Sequence, residues 1–340
     1  MYIIDMPLSS KYQIVIKDNL LSEIDSFVKE VYNNKNVYII TDERVGSFYL
    51  EKVTEALSSF NVQKIVIKGY EEAKSLETYG HICNELINLG ATRGEMLIAL
   101  GGGVIGDLVG FVASTLYRGM DFIQIPTSLL AQVDSSIGGK TGIDFNGHKN
   151  IIGNFKQPKL VLIDPTVLKT LPLKELKNGF GEVVKHALIA SKDLYELLLI
   201  NKLDVTEEVI YHNLMIKRSF VLNDEFDKGE RMKLNFGHTF GHIIELLYHK
   251  LHGEAVIDGM LCAVNFAIDC GVLDKEVKDR LLHLYKELEL EYTEYDYKTF
   301  YSDIKFDKKN IAKTISLILI NEIGNAILYP VREDELLWKY

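Results

Sequence analysis

The chain has little cysteine. Three residues in 340 (Cys83, Cys262 and Cys270) are odd in number and form no CxxC pair. A disulfide framework is excluded on that count and a reducing compartment favoured. No apolar run approaches the ~20 residues that a membrane-spanning helix needs. The opening MYIIDMPLSS carries an acid at Asp5 and no apolar stretch long enough for a secretory signal, so a cytoplasmic location is expected. Basic charge is in deficit, with 38 Lys and Arg against 48 Asp and Glu and a net charge of −10. That argues against a non-specific binder of nucleic acid or of anionic membranes, while leaving room for a local basic pocket around an acidic substrate. Internal repeats, low-complexity tracts and Gly/Ser-rich linkers are also missing. What is present is the composition of an ordinary globular protein, 47% apolar and 25% charged, at a length sufficient for two domains with separate cores.

Short β-branched runs alternate with amphipathic stretches through the first half. Val37–Thr41 (VYIIT), Lys64–Ile67 (KIVI), Met96–Leu100 (MLIAL), Phe122–Ile125 (FIQI) and Leu160–Ile163 (LVLI) are predicted to be buried strands. Helical patterns lie between them, roughly over 44–58, 75–88 and 104–116. Alternation of this kind specifies βαβ units and a parallel sheet. Tyr12–Ile16 (YQIVI) is expected to add an antiparallel edge. Beyond Leu171-Pro172 the character changes to long helical patterns such as VVKHALIASKDLYELLLI, so two domains are expected, 1–172 and 173–340. The segment TISLILI near Thr314 has the composition of a strand, though a buried helix fits its periodicity equally well.

Two glycine-rich segments read as anion sites. GGGVIG places Gly101, Gly103 and Gly106 in a G-x-G-x-x-G pattern directly after a strand and at the opening of a helix. Glycines let the backbone approach a pyrophosphate, and the helix N-terminus supplies unpaired N–H groups. The plain alternative is a tight turn with no ligand. Asp121 falls at the spacing of a ribose ligand, but the motif follows a third strand and not the first, so that match is set aside. DSSIGGKT (Asp134 to Thr141) ends like a P-loop, yet Asp134 stands where the first glycine is required. What survives is a flexible basic segment with Lys140 at its end and Lys149 and Asn150 following, or simply surface lysines.

His238 and His242 are four residues apart on one helix face, and His252 follows in the frame LNFGHTFGH … HGEAVIDGM. Thr239 after His238 rules out the HExxH of a metalloprotease. Upstream, Glu182, Lys185 and His186 share one face of GEVVKHALI. One carboxylate and two histidines would hold a divalent metal and leave a position open for substrate oxygens. The competing reading is that of interior histidines packed against small residues.

Taken together, GGGVIGDLVGF, IPTSLLAQVDSSIGGKTG, KNIIGNFKQP, LKTLP, NGFGEVVKH, RMKLNFGHTFGH and HGEAVIDGM resemble, in order, the 3-dehydroquinate synthase family of sugar-phosphate cyclases. The resemblance implies an α/β fold, with an N-terminal Rossmann-like domain, a mostly α-helical C-terminal domain, a site between them, and a homodimer. It implies zinc or cobalt on Glu182, His238 and His252. It implies NAD on Asp42, Glu71, Lys74, Gly101, Gly102, Gly103, Asp107, Thr127 and Ser128, with Lys140 and Lys149 added from the basic segment. Substrate groups and catalysis would fall to Arg118, Asp134, Lys140, Asn150, Lys185, Lys217, Arg231, Asn235 and His242, and to Lys308 or Lys309. The sequence departs from the family pattern at Tyr70, inserted between Gly69 and Glu71, at Ser128, and in a short stretch between His242 and His252.

The substrate implied is 3-deoxy-arabino-heptulosonate 7-phosphate, whose carboxylate and phosphate suit a pocket of arginine and lysine. The resemblance implies oxidation by NAD, β-elimination of phosphate, return of the hydride and intramolecular aldol closure, with His242 and Lys185 as groups for proton transfer and ketone polarisation. Rival readings are a sister cyclase making an inosose or valiolone, a metal-dependent polyol dehydrogenase, and a non-catalytic NAD-binding protein.

Overall fold

A computed structural model of the chain describes residues 1–301 and 315–331. It comprises two compact units, Met1–Pro172 and Leu173–Tyr340. The first runs β1 (Tyr2–Met6), β2 (Tyr12–Ile16), α1 (Ile24–Val31), β3 (Asn36–Asp42), α2 (Glu43–Ala56), β4 (Asn61–Ile67), α3 (Leu76–Asn88) and β5 (Met96–Gly101). It continues through α4 (Gly103–Thr115), β6 (Asp121–Pro126), β7 (Lys140–Phe145), β8 (His148–Phe155) and β9 (Leu160–Ile163).

Seven strands form one sheet in the order β1-β2-β9-β6-β5-β3-β4, parallel except for β1 against β2. Successive side chains of a strand point to opposite faces, and helices cover both faces here. Val37 and Ile39 of β3 thus enter a core with Ile24, Val28, Leu50 and Val53 of α1 and α2. Tyr38 and Ile40 enter a second core with Ile82, Leu86, Leu108 and Val112 of α3 and α4. Every residue of β5 is buried. Burying a Val, Ile or Leu side chain contributes roughly 1.5–3 kcal/mol over leaving it exposed, so continuous apolar runs select a sheet covered twice. Because α2 and α4 leave β3 and β5 for opposite faces, the carboxyl ends of these two strands form the crevice where open α/β sheets bind ligands.

The expectation for Tyr12–Ile16 is corrected. β2 pairs in parallel with β9, and the antiparallel edge is β1. The burial patterns give the reason: β1 alternates between buried Ile4 and Met6 and exposed Ile3 and Asp5, whereas β2 is buried at four of five positions. β7 and β8 form a separate hairpin packed on α4.

The second unit contains α5 (Leu173–Ala190), α6 (Lys192–Asn201), α7 (Glu207–Asn223), α8 (His238–Tyr248), α9 (His252–Asp269) and α10 (Lys275–Glu287), closed by a hairpin of β10 (Ile315–Glu322) and β11 (Asn325–Val331). The segment with two open readings is therefore a strand. Helix α9 makes close crossings with two others. A Cβ on Gly181 of α5 would lie 2.6 Å from the Gly253 carbonyl, and one on Gly259 would lie 2.2 Å from the Gly237 carbonyl. Any side chain at these points would drive the helices apart, and with them the residues they carry. No helix among the described residues is long and apolar enough to cross a membrane.

Candidate active site

Three helix positions of the second unit converge. Glu182 projects from α5 with 2% of its side chain exposed. His238 opens α8 and His252 opens α9. The Nε2 atoms of both histidines lie 3.5 Å from Glu182 Oε1. One donor atom from each residue falls within 4.8 Å of the others. Glu182 Oε2 is bonded to Lys185 Nζ, but Oε1 is buried with no hydrogen-bond partner. A buried carboxylate oxygen left in that condition is costly, and a cation is the natural occupant. The donor set of two imidazoles and a carboxylate fits zinc or cobalt.

The surroundings prepare each ligand. His238 Nδ1 lies 3.2 Å from the Phe236 carbonyl, which selects the tautomer with Nε2 free. His252 Nδ1 lies 3.1 Å from Glu245 Oε2. The start of α9 is held by Asn178 of α5, whose Oδ1 accepts from the Gly253 N–H at 2.6 Å. Burial alone would raise the Glu182 carboxyl, but Lys185, His252 and His238 override it and hold it well below the usual range. Burial and the Lys185 charge push His238 down to about 3, so its imidazole is neutral and able to ligate. Burial opposes protonation of His252 too, yet the Glu182 and Glu245 carboxylates lift it to about 9. A metal ion would take the place of that proton.

His242 stands outside the donor set. Its ring is 5.3 Å from that of His238 and 6.2 Å from that of His252, and it is exposed. The spacing of four residues puts it on the right face without making it a ligand. Glu245 is the residue that sequence reasoning missed. It lies seven residues after His238, on the same helix face, which was the available signal. Its partner on another helix was not available. The elements next to α5 carry buried cations: Lys217 on α7, 4% exposed, and Arg231, 4% exposed, in the turn Glu230–Asn235. Arg231 Nη1 donates to the Glu225 carbonyl at 2.8 Å, and Asp224 braces its loop by accepting from the N–H groups of Lys228, Gly229 and Arg231. Asn235, in the same turn, is exposed. Lys308 and Lys309 lie outside the described residues.

In the first unit, Gly102 caps α4 at the end of β5. A Cβ on Gly102 would come to 3.3 Å from Ser128 Oγ, and one on Gly103 to 3.0 Å from Ser135 Oγ, so a side chain at either position would press on these hydroxyls. The Thr127 N–H donates to the Gly101 carbonyl at 3.0 Å, and Ser128 Oγ accepts from the Ala131 N–H at 3.3 Å. Asp42 caps α2 at the end of β3, accepting from the Arg44 and Val45 N–H groups at 2.9 Å. Lys74, 5% exposed, donates to Asp107 Oδ2 at 2.8 Å and to Asn150 Oδ1. Burial opposes its charge, but Asp107 lifts the ammonium above its ordinary range. Glu71, on the turn just before, adds to that attraction. The glycine turn, the helix N-terminus and these polar groups fit the pyrophosphate and ribose of a dinucleotide.

Lys140 and Lys149 are not drawn together. Lys140 begins β7 opposite Phe155, whereas Lys149 lies beside the hairpin turn after Phe145, about 17 Å along the strand at ~3.4 Å per residue. Asp134 is half-buried in the helical turn Ala131–Ser135. Arg118 follows α4, next to the amino end of β6, which pairs Asp121 with Met96. It is exposed and lies a full thirteen-residue helix, about 20 Å, from the glycine turn.

A Rossmann-like unit followed by a helical unit with a Glu–His–His cluster matches, in fold, the class of the dehydroquinate synthase-like cyclases. The solved structure of 2-epi-5-epi-valiolone synthase from Streptomyces hygroscopicus, with NAD+ and Zn2+ bound, matches at a TM-score of 0.86 and 27% identity, covering 96% of this chain and 94% of that one. Within that class, the family described as 3-dehydroquinate synthase N-terminal matches residues 64–178 and that described as 3-dehydroquinate synthase C-terminal matches residues 179–310. Relatives named 3-dehydroquinate synthase include one from Clostridium botulinum, 45% identical over 333 residues (93% of this chain and 94% of that one), and one from Clostridium beijerinckii, 43% identical over 329 residues with the same coverage. The chain belongs to the 3-dehydroquinate synthase family.

Proposed function

We propose that this chain converts 3-deoxy-arabino-heptulosonate 7-phosphate to 3-dehydroquinate and phosphate, a phosphate-eliminating lyase reaction of the shikimate pathway. Residues 1–172 form the NAD-binding domain and residues 173–340 the metal- and substrate-binding domain. The observation that carries this reading is the buried, unpartnered Glu182 Oε1 facing two histidine nitrogens in a chain of this family. Bound NAD supplies a reversible hydride acceptor, and the bound divalent ion supplies a Lewis acid for neighbouring substrate oxygens.

The chain's own groups do the rest. Glu182, His238 and His252 hold the ion; Asp42, Glu71, Lys74, Gly101, Gly102, Gly103, Asp107, Thr127 and Ser128 hold NAD, with Lys140 and Lys149 at its margin. Arg231 offers a two-pronged guanidinium to a carboxylate or phosphate, and Lys185 and Lys217 offer compact charges. An anionic substrate adds to the partners these buried cations already have, such as Glu182 for Lys185. His242, exposed beside His238, moves a proton at a ring nitrogen, and Lys185 polarises a carbonyl through Nζ. Asp134, Asn150 and Asn235 orient hydroxyls. The sparse cysteines, none in a disulfide, support a cytoplasmic enzyme. The protein acts as a homodimer, and Arg118, a helix length from the glycine turn, serves a neighbouring copy.

The test mixes metal-loaded protein with catalytic NAD and the heptulosonate phosphate, following phosphate and NADH together. Phosphate in many-fold excess over NAD, without NADH accumulating, is the expected result. Stoichiometric NADH without phosphate would replace this reading by a dehydrogenase, and silence in both channels by a sister cyclase.

A further inference from the structure

Asp258 is a carboxylate in the interior of α9 with no exposed surface, six residues after His252 and outside the mechanism above. Both of its oxygens are engaged, and by two different segments. Oδ2 takes the ammonium of Lys250, and Oδ1 accepts from the Thr293 N–H at 2.7 Å. Lys250 Nζ also donates to Thr293 Oγ1 at 3.1 Å and stands over the Tyr295 ring, 5.6 Å from its centroid. One side chain thus ties three stretches of chain together: the second turn of α9, the segment around 293–295, and the connection between α8 and α9.

That connection is only His249, Lys250 and Leu251. It turns through His249 in the left-handed region (φ 51°) and ends on His252. α8 carries His238 and Glu245, α9 begins with His252, and Lys250 is the one charged side chain between the two that reaches back into α9. A buried ion pair is a poor source of net stability, because desolvation offsets most of the attraction. Its value lies in direction, since its partners admit one arrangement. Apolar residues at 250 and 258 would pack at least as well without dictating where the connection sits.

We infer that the Lys250–Asp258–Thr293 lock is a positioning device that sets the place of His252 relative to Glu182 and His238, and so sets the affinity of the metal site. The inference rests on the metal reading of those three residues. Lys250 and Asp258 touch neither metal nor substrate; they act through the connection they fasten.

The test measures zinc affinity of the metal-stripped full chain by competition with a chromophoric chelator, with thermal melting of the same samples alongside. Wild type and His252→Ala come first. Equal zinc content in the two would overturn the metal reading itself. With that reading standing, Lys250→Met leaves a buried carboxylate without its cation and lowers both melting temperature and zinc affinity, the latter on the order of tenfold. Lys250→Met/Asp258→Asn removes both charges and keeps an acceptor for the Thr293 N–H. It should regain most of the lost melting temperature while zinc affinity stays low. Zinc affinity that is unchanged in the single variant, or that recovers with melting temperature in the double variant, would show the pair to be structural only and overturn the inference.

Discussion

Glu245→Ala isolates the contribution of an outer carboxylate to the metal centre. Glu245 has 11% of its side chain exposed and places Oε2 3.1 Å from Nδ1 of His252, the atom opposite the ligating nitrogen. A carboxylate in that place fixes the imidazole's tautomer and orientation and makes Nε2 a better donor. The alanine variant leaves the ring free to turn about its Cβ–Cγ bond and exchanges a charged acceptor for water. Loss of such a partner lowers metal affinity by roughly 10–100-fold, which is about 1.4–2.7 kcal/mol. Glu245→Gln keeps a neutral oxygen at the same distance and should fall near the lower end of that range. Zinc titration of the stripped protein against a chelator reads the effect directly. NAD affinity serves as the control, because the groups proposed to hold the cofactor belong to the first unit. Zinc affinity within twofold of wild type in Glu245→Ala would refute the reasoning and make the contact incidental.

Three further outcomes are expected. Gly259→Ala places a methyl 2.2 Å from the Gly237 carbonyl and 2.6 Å from the Gly241 nitrogen, both backbone atoms, so stability should fall by about 1–3 kcal/mol with loss of zinc; denaturant melts and metal analysis check it. Arg231→Ala should weaken substrate binding far more than NAD binding, and calorimetry showing equal losses would remove Arg231 from the substrate set. Mixing inactive Arg118→Ala with inactive His252→Ala copies and allowing subunits to exchange should restore about a quarter of wild-type activity if Arg118 serves the neighbouring copy of a two-fold dimer, and none if it acts within its own chain.

The alternating apolar runs carried the parallel sheet. β3, β5, β6 and β9 are bounded by turn residues and buried on both faces, so composition and length sufficed to find them. β1 escaped notice because five residues with alternating burial look like a leader to β2, and their pairing partner decides which is the edge. The β7–β8 hairpin had a readable signal that was passed over. Asn146-Gly147 takes φ values of 50° and 79°, the conformation that Asn-Gly favours in two-residue hairpin turns.

The sequence by itself determined the two-part organisation and the glycine turn after β5, since each is carried by local periodicity or by residue types in recognisable order, and its resemblance to the family singled out Glu182, His238 and His252 as candidate metal ligands. Tertiary structure alone decided which carboxylate orients His252 and where Arg118 lies. Those outcomes depend on helix crossings at Gly181, Gly253 and Gly259 and on the direction in which α4 runs. Periodicity assigns a residue to a face of its own helix, but only packing decides what that face meets.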